Sequence, residues 1–102
     1  MISGLSVTPL KRICNDKGDI YHAMKSSEST FSGFGEAYFS TVHYGDIKGW
    51  KKHTEMVLNL VVPVGSIKFV IYDGRSDSCT FNDFFEITIS GENYCRLTVP
   101  PD

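Results

Sequence analysis

Runs of β-branched and aromatic residues, each closed by turn chemistry, constrain this chain more than any other feature. Residues 37–43 (AYFSTVH), 57–62 (VLNLVV), 67–72 (IKFVIY), 84–89 (FFEITI) and 95–99 (CRLTV) carry the side chains that suit a pleated, half-buried surface. Between them stand Tyr-Gly-Asp, Val-Gly-Ser, Asp-Gly-Arg-Ser-Asp and Ser-Gly-Glu-Asn, the residues that reverse a chain. In 67–72, Ile67, Phe69 and Ile71 alternate with Lys68, Val70 and Tyr72, so one face of that strand is expected to be buried. No segment keeps a helical period beyond about two turns. The Ser- and Gly-rich stretch 23–35 reads as a loop with a single helical turn near 26–29. Short strands at short intervals predict an all-β antiparallel sandwich or barrel. The length, 102 residues, suits one domain over 1–102 with one core.

Composition narrows the function classes. The formal net charge is -2, and the only basic cluster is Lys48, Lys51 and Lys52, which argues against nucleic acid as a partner. That cluster is either a solvated turn or an anion-binding element. The longest apolar run, 57–64, is broken by Asn59 and Pro63 and is too short to span a bilayer, so no membrane partner is expected. The first residues, MISGLSVTPLKR, lack the basic start and apolar core of a secretion signal. Cys14, Cys79 and Cys95 are odd in number and form no CxxC pair, so they read as reduced thiols in a cytoplasmic protein.

The segment from Gly45 to Gly65 has a spacing of its own. Gly45 is followed by five residues, Lys51, one residue, His53, four residues, Leu58, six residues and Gly65. This is the frame of the first cupin motif, in which the positions of Lys51, His53 and Leu58 are usually His, His and Glu, the metal ligands. The frame is kept and two of three ligand positions are changed, so no metal or other cofactor is expected. With Asn15-Asp16-Lys17-Gly18, Tyr38-Phe39-Ser40, the strand–Gly–strand unit 59–73, Ser90-Gly91-Glu92-Asn93 and Leu97-Thr98-Val99-Pro100-Pro101, the chain resembles the dTDP-4-dehydrorhamnose 3,5-epimerase family and its relatives, the cupin-fold sugar-nucleotide ketoisomerases. The likeness spans nearly the whole chain and implies an RmlC-like jelly-roll barrel without its last strands.

The resemblance also assigns roles. The epimerases' histidine base, which removes a proton beside the sugar ketone, corresponds to Lys51. A lysine is a poor base at neutral pH unless its pKa is strongly depressed. His53 matches the second histidine of the ketoisomerase pattern. Being two residues from Lys51 in an extended chain, it would share a face with it, and it is the other candidate acid/base. Lys48 and Lys17 stand where the family has arginines that hold the nucleotide diphosphate; a lysine keeps the charge and loses the bidentate fork. Trp50 and Asn59 complete the expected substrate contacts. The family's general-acid tyrosine and the aspartate paired with its base would lie beyond residue 102, and the edges of a barrel without its last strands would need covering by another chain. The family's strand-exchanging homodimer is therefore the implied partner, with a nucleotide-sugar small molecule as the ligand.

Three readings follow. The first is an isomerase that epimerises or isomerises a nucleotide-linked 4-keto sugar through an enolate. The second is a non-catalytic sugar-nucleotide-binding cupin that has lost the catalytic dyad. The third, metal-dependent cupin chemistry, would require His22, His43 and His53 to converge with Glu36 or Glu55.

Overall fold

A computed structural model describes residues 1–101. Seven strands follow one another: β1 (Ser6–Pro9), β2 (Arg12–Ile13), β3 (Ile20–Tyr21), β4 (Leu58–Leu60), β5 (Ile67–Tyr72), β6 (Phe84–Ile89) and β7 (Cys95–Val99). They form three antiparallel sheets, ordered β1-β7-β4, β2-β3 and β5-β6. The expected all-β class holds.

The alternation seen in the sequence sets the packing. In the β5-β6 pair, Ile67 lies opposite Ile89, Phe69 opposite Ile87 and Ile71 opposite Phe85. This face turns inward, while Lys68 and Glu86 on the other face form an ion pair at 3.4 Å. Across the sandwich, Leu97 of β7 is flanked by Val7 and Leu60. Ile2, Leu5, Val62, Ile89, Cys95 and Leu97 form the buried cluster, and Leu97 and Ile89 are wholly enclosed. Fully burying one such aliphatic side chain contributes about 1.5–3 kcal/mol.

The outer face of the β1-β7-β4 sheet is polar and yet covered. Ser6 and Asn59 lie opposite Thr98, and Thr8 opposite Arg96. Arg96 and Thr98 are nonetheless buried, because residues 23–30 lie over this face, held by Arg96.

A second set of bonds ties the start of the chain to the β5–β6 loop. Asp73 accepts from Arg75 Nε (3.0 Å) and Nη2 (3.1 Å), Ser78 Oγ (2.7 Å) and Thr80 Oγ1 (2.5 Å). Arg75 Nη2 also donates to the Ser3 carbonyl at 2.6 Å, and the Ser3 N–H donates to Thr80 Oγ1 at 3.0 Å. The Arg75 bond, joined by the two hydroxyls and working against burial, holds the Asp73 carboxyl far below the usual carboxylate range. Gly4 completes the junction with φ +84°, and a Cβ there would come within 3.0 Å of the Pro100 side chain.

Two expectations are corrected. Residues 37–43 form no strand, and β4 covers Leu58–Leu60 rather than 57–62. A strand needs a neighbouring backbone to pair with, whatever its side-chain pattern. From 22 to 57 the described chain joins no sheet. Beyond the other end of β4, Pro63 has no N–H to offer a ladder, and the chain bends at Gly65, where φ is +85°.

Candidate active site

The motif positions divide between the sandwich and a long exposed arm. Leu58 pairs with Val99 and shares, by strand alternation, the inward face of Leu60. The position that holds the metal-binding glutamate in cupins thus carries an aliphatic side chain on the core side of the sheet. Asn59 points the other way, and its Oδ1 accepts from Thr98 Oγ1 at 2.6 Å.

Lys51 and His53 lie in the irregular segment before β4. Lys51 is exposed and His53 half-buried. Lys48 Nζ donates to Ser40 Oγ at 3.0 Å, a bond between two points of the arm. His43 Nδ1 lies 3.8 Å from Asp46 Oδ2 across a turn closed by the Asp46 N–H on the His43 carbonyl (2.9 Å). The arm's large side chains face outward: Phe39 and Ile47 are 98% and 96% exposed, and Tyr38, Tyr44 and Trp50 are exposed as well.

Lys17 sits elsewhere, at the tip of the β2-β3 hairpin. Its N–H donates to Asn15 Oδ1 at 2.9 Å, and the Gly18 N–H reaches the Asn15 carbonyl at 3.0 Å, an Asx-type turn. Among the described residues, no hydrogen bond, ion pair or ring contact joins any two of His53, Lys51, Lys48, Lys17, Trp50 and Asn59. Nor do three or more His, Cys, Asp or Glu side chains approach closely enough to hold a metal ion among those residues, so His22, His43 and His53 do not converge.

The structure adds a polar centre that sequence reading had not singled out. Arg96, wholly buried on β7, donates from Nη1 to the Ala23 carbonyl (2.5 Å) and from Nη2 to Glu28 and to Thr30 Oγ1 (2.8 Å). Glu28 Oε1 also accepts the Lys25 N–H at 3.1 Å. The Arg96 bond keeps the Glu28 carboxyl ionised, below its ordinary range, against the cost of burial. The signal available in the sequence was one arginine inside an otherwise apolar and threonine-bearing strand. Beside it, Tyr94 donates to the His22 carbonyl at 2.7 Å and meets Tyr21 edge-on at 5.3 Å, and burial pushes the Tyr94 hydroxyl pKa up.

Fold and motif together define a cupin-like antiparallel β protein whose metal frame has been remodelled. Comparison with known proteins agrees. No protein-family model matches the chain. Along 100 residues it is 28% identical to the spore coat polysaccharide biosynthesis protein SpsL of Bacillus subtilis (strain 168), covering 98% of this chain and 66% of that protein. Along 103 residues it is 26% identical to the probable low-salt glycan biosynthesis epimerase Agl13 of Haloferax volcanii, covering 99% and 66%. A crystal structure of a dTDP sugar isomerase from Desulfovibrio desulfuricans G20 matches with a TM-score of 0.95 and 37% identity, over 98% of this chain and 64% of that one. The chain therefore spans just under two-thirds of the length of each of these relatives. Its resemblance to the epimerase-like cupins, first carried by its motifs, is borne out over its whole length.

Proposed function

We propose that this protein works as a sugar-nucleotide isomerase, epimerising or isomerising a nucleotide-linked 4-keto sugar. The observation that supports the reading is the match of nearly all of this chain, in sequence and in backbone, to about two-thirds of a dTDP sugar isomerase. In the proposed reaction a base removes the proton from a carbon next to the C4 ketone. The electron pair moves onto the carbonyl oxygen as an enolate, and a proton returns to the carbon from the other face or to its neighbour. The ketone itself acidifies that carbon, so the step calls on neither metal nor organic cofactor.

His53 is the proposed base. An imidazole can both accept and donate a proton, and His53 is half-buried in the segment that leads into β4. Lys51 is the second candidate and, as a cation, suits the developing oxyanion. Lys48 and Lys17 would hold the diphosphate as point charges, and Trp50 would stack on the base or sugar. Asn59, facing away from Leu58 with its amide engaged by Thr98, is assigned to bracing the sheet rather than to substrate.

A second copy of the chain is the proposed partner. It would cover the exposed aromatic arm and bring Lys17 of one protomer toward the arm of the other. A dTDP-linked sugar of the rhamnose type, polysaccharide assembly and a cytoplasmic setting go with this reading. The exposed lysine at the base position favours the alternative, a binding protein without turnover.

The test is solvent deuterium incorporation into a dTDP-4-keto-6-deoxy sugar, followed by NMR. Incorporation by the wild type that falls by about 100-fold or more in His53→Ala, with Lys51→Ala less affected, supports His53 as base. The reverse ranking assigns the base to Lys51. Binding without incorporation establishes the non-catalytic reading, and absence of both overturns the proposal.

A further inference from the structure

A concavity of about 420 Å³ lies between the end of β1 and residues 22–28. It is lined in part by Thr8, Lys11, His22, Lys25 and Glu28, and by no residue of the central motif. Its volume lies within the range of small-molecule sites.

The placement of its basic groups is built, not incidental. The His22 N–H donates to the Lys11 carbonyl at 2.9 Å, which fixes those two residues side by side. The His22 carbonyl is held in turn by the Tyr94 hydroxyl at 2.7 Å. Lys25 begins a turn closed twice, by the Glu28 N–H on its carbonyl (3.1 Å) and by its own N–H on Glu28 Oε1 (3.1 Å). The backbones that carry all three basic side chains are thus pinned. Neither the Lys11 nor the Lys25 ammonium, nor the His22 ring, forms an ion pair among the described residues.

The one acid in the lining is already neutralised. Glu28 points an oxygen at the buried Arg96 guanidinium, so its charge is compensated from beneath the site. Glu28 also feels the Lys25 ammonium, and with Lys11, Lys25 and the Arg96 guanidinium beneath them the site still carries more positive than negative charge. A cleft lined by one sign of charge concentrates the opposite ion, and lysine is a point-charge binder of phosphate.

We propose that this concavity binds a small phosphorylated metabolite, its phosphate held by Lys11 and Lys25, at a site separate from the central-motif residues. The site does not depend on the proposed isomerase activity.

The experiment is titration of the full 15N-labelled chain with inorganic phosphate, and then with dTDP, followed by protein NMR. Saturable shifts confined to residues 8–11 and 22–28, weakened about tenfold in Lys11→Ala/Lys25→Ala and retained in Lys25→Arg, support the site. Unchanged amide shifts elsewhere in the double variant show that it still folds. If dTDP moves the same residues, a nucleotide is the source of the phosphate. If dTDP moves only residues 45–57, the site prefers phosphate on another carrier. Shifts that do not saturate, that spread evenly over all lysines, or that survive in the double variant overturn the proposal.

Discussion

Strand β7 and the segment 37–43 are built from the same kinds of residue and end in opposite conditions. Cys95–Val99 is paired on both sides, by β1 and by β4, and its side chains are buried on both faces. Residues 37–43 have no ladder, and Phe39 stands almost fully in solvent. The difference shows that strand propensity is a fit to neighbours rather than a property of the run itself. The sandwich supplies those neighbours within the chain. The arm, which holds most of the candidate catalytic and substrate-binding residues, does not find them among residues 1–101.

The sharpest way to break this comparison is a matched pair of truncations. Leu97→Ala, at a wholly enclosed position, is expected to lose about 3 kcal/mol in urea unfolding. Phe39→Ala is expected to change stability by less than about 0.5 kcal/mol. Equal losses would mean that the arm packs in solution and that the contrast is false.

A smaller effect is expected at the junction of the first residues with the β5–β6 loop. The folded pKa of Asp73 is depressed, so its carboxylate stabilises the fold above its unfolded pKa of about 3.9, and that contribution disappears as pH falls through the folded value. The thermal midpoint of the wild type should therefore decline as pH drops below about 4. Asp73→Asn should lower the midpoint by roughly 5 °C at pH 7 and flatten the acid decline. A parallel decline in both proteins would remove Asp73 from the explanation.

The smallest effect is chemical. Cys14 and Cys79 are exposed, whereas Cys95 is buried in the core and burial raises its thiol pKa. Iodoacetamide under native conditions should modify Cys14 and Cys79, and Cys95 only after denaturation. Early labelling of Cys95 would show that the β7 region opens as readily as the arm.

These contrasts also mark how far the sequence could be read. Strand 67–72 was legible from its alternation, and 84–89 and 95–99 from runs of β-branched and aromatic residues closed by turn residues. β1, β2 and β3 were not, since runs of four, two and two residues are too short to show a period. Segment 37–43 misled because composition reports the need for a partner and not its presence. The motif frame 45–65 pointed to the relatives only together with the segments 15–18, 38–40, 59–73, 90–93 and 97–101, in their order along the chain. The Arg96–Glu28 pair stayed hidden because it joins residues 68 apart in sequence, and no local pattern encodes such a meeting.

The pairing of Ser6–Pro9 with Cys95–Val99 has a consequence for how the molecule comes into being. A chain leaving the ribosome presents Val7 long before Leu97 exists, so the three-stranded sheet cannot begin to assemble from its first strand. Of the two described pairings between near neighbours, β2-β3 and β5-β6, the second is the longer ladder, and it is the natural place for order to start. Strands β1 and β4 must wait, unpaired, until β7 emerges to stand between them. In a crowded cell that interval is when this protein is most exposed to wrong partners.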